Sequence, residues 1–158
     1  MSPEKRSQTI ALGADHAGYE LKDVLKELLL ADGYDVLDLG TNGGDSVDYP
    51  DFGRAVAEAI TGGRAGKGVL VCGTGIGISI AANRYPAVRA ALCRSGLEAR
   101  LGREHNDANV LALGARITGL EAAKDCLHEF LNTEFGGGRH AGRVEKLAKH
   151  VQREVEEV

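Results

Sequence analysis

Tryptophan is absent from this chain of 158 residues, and aromatic residues make up only 4% of it. The core must therefore be filled mainly by small aliphatic side chains, which the 43% of hydrophobic residues can supply. Glycine is abundant by contrast, with 22 residues, and indicates many tight turns and close backbone packing. This length and apolar content suit one compact domain, and we expect residues 1–158 to form it.

Two kinds of surface are also missing. The formal net charge is -4 and the Lys and Arg residues are scattered, so the chain offers no basic face for a phosphodiester backbone. No apolar stretch approaches the length of a membrane-spanning helix, and the segment Met1–Thr9 is polar and charged, unlike a secretory signal. The sequence predicts a cytoplasmic protein that binds neither nucleic acid nor a membrane.

Cysteine is scarce, with Cys72, Cys93 and Cys126 far apart in the chain. This odd number and wide spacing fit neither a disulfide framework nor the paired ligands of a zinc site. We therefore expect three free thiols and no metal.

Apolar strand-like runs alternate with segments of helical period along most of the chain. The predicted strands are Gln8–Gly13, Tyr34–Leu39, Lys67–Cys72, Val88–Cys93 and Asn109–Leu113. Predicted helices follow them: one begins near Ala17, one contains Phe52 and Val56, two shorter ones span Ser79–Asn83 and Leu97–Arg103, and one starts at a capping box of Thr118 and Glu121. This alternation predicts a doubly wound α/β fold with a five-stranded parallel sheet, Rossmann- or flavodoxin-like.

A terminal helix follows the Gly136–Gly138 stretch and has no strand after it. Its apolar stripe packs either on its own domain or across a dimer interface, and the sequence favours neither. The stripe consists of Val144, Leu147, Ala148, Val151 and Val155.

The glycine-rich loop Gly73–Gly77 is the strongest local signal of a ligand site. Alternating glycines between a strand and a helix let successive N–H groups turn toward one point, where an anion or oxyanion is expected. The spacing matches neither the dinucleotide-binding motif nor the P-loop, and a merely tight turn is the alternative. Cys72 directly before this loop is predicted to be a reactive thiol, whereas Cys93 and Cys126 are predicted to be structural. Thr74 offers a hydroxyl inside the loop.

Other polar residues fall in loops next to the predicted strands. Asp15 and His16 follow the first strand at the edge of the sheet that carries the glycine loop. Either could cap the helix that begins near Ala17, and capping is the favoured role of Asp15 when it is taken alone. His105, Asn106 and Asp107 form a polar triplet predicted to lie in a loop, where either titration near neutrality or simple solvation is possible. Three cations could bind a phosphate: Arg139 and Arg143 form either a phosphate clamp or a solvated basic edge, and Arg116 could add a third charge. His140 is predicted to point away from Arg139 and Arg143.

Five segments of the chain resemble the type B ribose-5-phosphate isomerases, a group that also includes allose- and galactose-6-phosphate isomerases. The segments are GADHAGYELK, DYPDF, VCGTGIGISIAANR, REHNDANVLALGAR and FGGGRHAGRV, in the family's order. The resemblance spans almost the whole chain. It implies an aldose-ketose isomerase that needs no cofactor or metal and works as a homodimer, or a dimer of dimers, with shared active sites.

The resemblance also implies a role for each candidate residue. Cys72 corresponds to the base that moves a proton between two carbons, Thr74 to a proton relay between oxygens, and His105 with Asp15 to the ring-opening groups. The enediolate would lie against the loop of Gly73, Thr74, Gly75, Ile76 and Gly77. Phosphate contacts are implied for His16, Arg139 and Arg143, and further ligand contacts for Asn106 and Arg116.

Two departures within the family bear on this assignment. One branch uses a glutamate slightly beyond the glycine loop as its base, and Ser79 occupies the corresponding place here, so Cys72 keeps that role. Galactose-6-phosphate isomerases divide the site between unlike chains, whereas this chain carries both the cysteine loop and the arginine pair. Ribose 5-phosphate is the expected substrate. The alternatives are a 6-phosphohexose such as allose 6-phosphate, or a module that binds a phosphate or nucleotide without catalysis.

Overall fold

The computed structural model describes the backbone of residues 8–156 and the side chains of residues 8–148. The strands in this part of the chain are β1 (Thr9–Ala14), β2 (Asp35–Asp38), β3 (Lys67–Cys72), β4 (Ala90–Leu92) and β5 (Val110–Gly114). The helices are α1 (Tyr19–Ala31), α2 (Tyr49–Thr61), α3 (Ile76–Ala82), α4 (Gly96–Asn106), α5 (Leu120–Asn132) and α6 (Arg139–Glu156). The predicted order of strands and helices is confirmed.

All five strands belong to one parallel sheet in the order β2-β1-β3-β5-β4, which confirms the predicted doubly wound fold. The central strands are apolar almost throughout, because helices cover both faces of the sheet. The strand order reverses between β1 and β3, since the chain leaves β1 toward β2 on one side and returns to β3 on the other. Ligands of doubly wound folds bind at the carboxyl ends of the strands at such a point.

Two buried clusters lie on opposite faces of the sheet. One contains side chains of α1, α4 and α5, among them Leu25, Ala99 and Phe130. The other contains side chains of α2 and α3, among them Val56 and Ile78. Each face thus carries its own hydrophobic core.

Several element boundaries differ from their prediction. Helix α3 begins at Ile76 rather than Ser79, so Ile76 and Gly77 form its first turn. Helix α1 begins at Tyr19 rather than near Ala17. Strand β4 is limited to Ala90–Leu92, which is shorter than predicted.

The predicted capping box of Thr118 and Glu121 is wrong. Helix α5 has Gly119 at its N-cap with no side-chain cap, and the buried hydroxyl of Thr118 has no hydrogen-bond partner among the described residues. The chain instead has a related motif at α4, where Ser95 Oγ accepts the N–H of Glu98 at 3.2 Å. Glu98 Oε1 in turn accepts the N–H of Arg94 at 3.0 Å.

Helix α6 starts beside the end of α4, where the N–H of Gly136 donates to the carbonyl of Glu104 at 3.0 Å. The predicted apolar face of this helix is only partly buried. Val144 and Ala148 are partly buried, whereas Leu147 is 58% exposed. The side chains of Val151 and Val155 lie outside the described residues. None of the helices described combines the length and the apolar character that crossing a bilayer requires.

Candidate functional site

Three loops meet at the carboxyl edge of the sheet, as the sequence predicts. Asp15 and His16 follow β1, the glycine-rich turn follows β3, and Arg116 follows β5. We call Asp15, His16, Cys72, Gly73–Gly77 and Arg116 the carboxyl-edge cluster. It occupies the point where the strand order reverses, which is where the fold class places ligands.

Cys72 is buried at the base of the glycine-rich turn. Its Sγ accepts the N–H of Gly75 at 3.1 Å, and only 4% of the residue is exposed. The hydroxyl of Thr74 accepts the N–H of Ile76 at 3.2 Å. Two N–H groups of the turn are therefore already bonded to the thiol and the hydroxyl, and a ligand oxygen must be held by the others.

Backbone geometry requires glycine at position 75 of this turn, and at Gly77 an aromatic ring approaches closely. Gly75 has a φ of 78°, in the left-handed region, and a Cβ there would lie 2.8 Å from the backbone carbon of Leu113. A Cβ on Gly77 would lie 2.6 Å from the ring of Tyr49. The ring of Tyr49 therefore covers the turn, a contact that the sequence reasoning missed although the DYPDF motif contains the residue.

Asp15 and His16 make different contacts at the end of β1. Asp15 is buried, and its Oδ1 accepts the N–H groups of Ala17 at 3.0 Å and Gly18 at 3.1 Å. The carboxylate thus holds the turn before α1. It does not cap the helix as predicted, because the N-cap of α1 is Gly18 and has no side-chain cap. His16 is partly exposed, and its Nδ1 accepts the N–H of Val47 at 3.2 Å.

Arg116 lies directly over the glycine-rich turn. The backbone N–H of Arg116 donates to the carbonyl of Gly73 at 2.9 Å. A Cβ on Gly73 would lie 3.2 Å from Nη1 of the Arg116 guanidinium. The residue is exposed, so the guanidinium remains accessible to a ligand. Arg116 therefore adds a positive charge at the carboxyl edge of the sheet, where Cys72 lies.

A second cluster lies at the opposite, amino edge of the sheet. The structure corrects the predicted loop, because His105 and Asn106 belong to the last turn of α4 and Asp107 ends the helix with a φ of 46°. Arg103 extends this turn by binding Asp107 Oδ1 and the carbonyl of Ala108, both at 2.8 Å. We call His105, Asn106, Arg139, His140 and Arg143 the amino-edge cluster.

The side chain of His140 does not point away from Arg139 and Arg143, contrary to the prediction, because it lines the same cavity as Arg143. Its ring stacks on that of His105, with the ring centroids 4.5 Å apart and the planes inclined by 19°. Loss of water contact, followed by the nearby His105, Arg139 and Arg143, lowers the pKa of His140 from its ordinary value. His105, Asn106, His140 and Arg143 line one cavity of about 290 Å³. Arg139 is exposed one helical turn before Arg143.

A single copy of the chain does not bring the two clusters together. Helix α4 ends just before β5 begins at Val110, whereas Cys72 pairs in register with Gly114 at the other end of that strand. Four residue steps along a strand span about 13 Å. A catalytic group must come within about 3 Å of the atom on which it acts, so the two clusters of one chain cannot serve one small ligand.

The other two thiols are in different surroundings. Burial, with smaller contributions from the other thiol and Glu98, raises the pKa of Cys93 to about 12. Burial, with smaller contributions from Asp125 and Glu98, raises the pKa of Cys126 to about 11. All three cysteines are free, as predicted. The described side chains, those of residues 8–148, include no group of three or more His, Cys, Asp or Glu placed to hold a metal ion.

Comparisons with known proteins agree with this fold. The model of a family described as Ribose/Galactose Isomerase matches residues 10–147. The chain is 45% identical over 144 residues to ribose-5-phosphate isomerase B of Escherichia coli, covering 91% of this chain and 97% of that protein. The structure of ribose-5-phosphate isomerase B from Clostridium thermocellum is similar, with a TM-score of 0.90 and 52% identity over 92% of this chain and 98% of that one. D-erythrulose-4-phosphate isomerase of Pectobacterium atrosepticum is 40% identical over 147 residues, which cover 92% of this chain and 97% of that protein.

Proposed function

Because the chain belongs to the ribose/galactose isomerase family and is a sugar-phosphate isomerase, we propose that it interconverts ribose 5-phosphate and ribulose 5-phosphate. The observation that carries the proposal is the thiol of Cys72 at the base of the glycine-rich turn, at the ligand-binding edge of the sheet. An isomerase of this type needs a base beside a carbon and donors beside the adjacent oxygens. The carboxyl-edge cluster contains both kinds of group.

In the proposed reaction, the thiolate of Cys72 removes the proton from C2 of the open-chain aldose. The C2–H electron pair forms the C1–C2 double bond, and the carbonyl electrons move to O1 to give an enediolate. The same sulfur returns a proton to C1, while Thr74 relays a proton between the two oxygens. N–H groups of the glycine-rich turn stabilise the oxyanion, at about 3 to 4 kcal/mol per donor in comparable sites.

Ring opening and phosphate binding require additional groups. Ribose 5-phosphate is mainly a ring in solution, and His105 is proposed to transfer the protons that open it, with Asp15 nearby. His16, Arg139 and Arg143 are proposed to bind the phosphate, and Asn106 and Arg116 to contact the sugar. Bidentate guanidinium donors suit phosphate oxygens well.

The proposed site is shared between two copies of the chain. The base is at the carboxyl edge of the sheet, and His105, Arg139 and Arg143 are at the amino edge. The distance between the edges supports a homodimer, or a dimer of dimers, in which each pocket combines the carboxyl-edge cluster of one copy with the amino-edge cluster of the other. A two-fold dimer contains two such pockets.

A four-carbon sugar phosphate is a second candidate substrate, and the likeness to the D-erythrulose-4-phosphate isomerase favours it. The chemistry would be the same with one carbon fewer. Comparing kcat/KM for ribose 5-phosphate and D-erythrose 4-phosphate separates these candidates, and allose 6-phosphate tests the hexose alternative. The substrate with the highest kcat/KM identifies the preference.

The proposal is tested by turnover of ribose 5-phosphate in the wild-type protein, Cys72→Ala and Cys93→Ala. We expect Cys72→Ala to fold and to lose about 100- to 10,000-fold in kcat, the usual contribution of a catalytic base. The matched control Cys93→Ala also removes a buried thiol, and we expect its kcat to stay near that of the wild type. Turnover retained in Cys72→Ala would refute the role of the thiol, and binding without turnover in the wild type would favour the non-catalytic alternative.

We further propose that residues 1–158 act as one domain, because one sheet and its two layers of helices contain all five strands described. A cytoplasmic location remains a prediction from the sequence.

A further inference from the structure

A fully buried ammonium group lies beside the carboxyl-edge cluster and has no part in the proposed chemistry. The Nζ of Lys22 in α1 is 2.8 Å from Asp38 Oδ1 and 2.7 Å from Asn42 Oδ1, and its side chain has no exposed surface. Asp23 Oδ1 lies 3.4 Å away. Burying a lysine is costly unless its charge and its N–H donors are satisfied. The ammonium of Lys22 has these three oxygens around it.

Asp38 is the carboxylate partner of this buried ammonium, at the end of β2. Its Oδ1 also accepts the N–H of Gly40 at 3.0 Å, and its Oδ2 accepts a bond from Lys26 at 3.1 Å. Burial alone would raise the pKa of Asp38, but the hydrogen bonds from Lys22, Gly40 and Lys26 outweigh it and lower the pKa. The pair therefore stays charged, and Lys22 remains a donor to Asn42.

Asn42 begins a loop that leads to His16. The preceding residues follow β1, with the N–H of Leu39 bonded to Leu12 and that of Thr41 bonded to Ala14. Gly43 and Gly44 come next, and a Cβ on Gly43 would meet nothing within 4 Å. In the part of the chain described, the next hydrogen bond along this loop is that of the Val47 N–H to His16. The bond between Lys22 and Asn42 therefore fixes the loop just before a stretch, residues 43–46, without hydrogen bonds among the described residues.

The contact with Val47 determines which nitrogen of His16 is a donor. A backbone N–H can only donate, so Nδ1 of His16 is the acceptor and the hydrogen of the neutral ring is on Nε2. The Nε2–H group is then free to donate to an anionic ligand. Without the Val47 contact, neither the tautomer nor the orientation of the His16 ring would be fixed.

We propose that Lys22 is a positioning residue for substrate binding: through Asn42 it holds loop 42–47, and through Val47 this loop keeps the Nε2–H of His16 directed at the phosphate. The inference rests on the proposed function, because it takes the phosphate as the ligand of His16. It concerns binding and not proton transfer, so its effect falls on KM rather than kcat.

The main test is Asn42→Ala, which removes the hydrogen bond between Lys22 and the loop and leaves the ion pair of Lys22 and Asp38 intact. Asn42 is exposed, so the variant is expected to fold. We expect KM for ribose 5-phosphate to rise about 5- to 20-fold, the order of the effect of losing one hydrogen bond, while kcat changes less than about 2-fold. Asn42→Asp keeps an acceptor oxygen for Lys22 and should restore a KM near the wild-type value. The matched control Lys26→Met removes a cation from the same carboxylate without touching the loop, and should leave both constants unchanged.

A double-mutant cycle shows whether the effect passes through His16. His16→Ala alone should raise KM, and adding Asn42→Ala to it should raise KM no further. A wild-type protein without isomerase activity would refute the proposed function itself. In an active enzyme, an unchanged KM in Asn42→Ala, or an undiminished effect in the His16→Ala background, would overturn the inference.

Discussion

The three thiols of the chain differ in their surroundings rather than in their exposure. Each is nearly buried, yet only the sulfur of Cys72 faces a backbone N–H donor of the glycine-rich turn. The raised pKa values of Cys93 and Cys126, about 12 and about 11, keep these two groups protonated at neutral pH. The thiolate is the reactive form of cysteine, so the latter two are expected to be inert.

Alkylation with iodoacetamide at pH 8 tests this difference. At that pH very few of the Cys93 and Cys126 side chains are thiolates, because their raised pKa values shift ionisation to higher pH. We expect mass spectrometry of the native protein to find the label on Cys72 first, in parallel with loss of turnover. All three cysteines should react after unfolding. Early labelling of Cys93 or Cys126 in folded protein would contradict this account.

His105→Asn tests the proposed division between ring opening and isomerisation. We expect kcat on ribose 5-phosphate to fall about 100-fold or more, the usual contribution of a general acid-base group. D-Erythrose 4-phosphate cannot close a furanose ring, because its C4 oxygen carries the phosphate, and its turnover should fall far less. Equal losses on both substrates would exclude ring opening as the role of His105.

At the scale of single residues, the sequence allowed Cys72 and its turn to be found because the signal is local. A thiol at the end of a buried strand and alternating glycines are adjacent in the chain. Tyr49, His140 and Lys22 were missed because their contacts join segments that are distant in sequence. The ring of Tyr49 reaches Gly77, that of His140 reaches His105, and Lys22 reaches Asn42.

At the scale of secondary-structure elements, the periodicity of apolar residues was enough to predict the order of strands and helices. It was not enough to predict where the helices begin and end. The capping box at Thr118 matched in sequence but not in structure, because Gly119 takes the N-cap. The end of α4 was placed too early, because its last turn depends on the bonds of Arg103 to Asp107 and Ala108. Such bonds are decided by side-chain geometry and not by periodicity.

Two substitutions compare the cap that the sequence favoured with the one that the structure contains. Ser95→Ala removes a real N-cap and should lower the free energy of unfolding by about 1 kcal/mol. Thr118→Val replaces a buried hydroxyl without a partner among the described residues, and should leave the free energy of unfolding unchanged or higher. Denaturant unfolding of both variants gives the comparison. A larger loss for Thr118→Val than for Ser95→Ala would contradict the structure at both helices.

At the scale of the whole molecule, the sheet separates the groups that the proposed reaction needs. The thiol and its turn are at the carboxyl edge, and His105, Arg139 and Arg143 are at the amino edge. The fold class could be predicted from alternation alone, but this separation depends on where α4 ends. A site assembled from two copies is the arrangement that reconciles one small substrate with both clusters.

Complementation between two inactive variants tests this arrangement most directly. Cys72→Ala lacks the proposed base and His105→Asn lacks the proposed ring-opening group, so each alone should be nearly inactive on ribose 5-phosphate. If each pocket takes these groups from different copies, a mixed dimer contains one pocket with both groups intact. After unfolding and refolding of an equal mixture, we expect about a quarter of the wild-type activity to return. A mixture no more active than its two components would contradict the shared site.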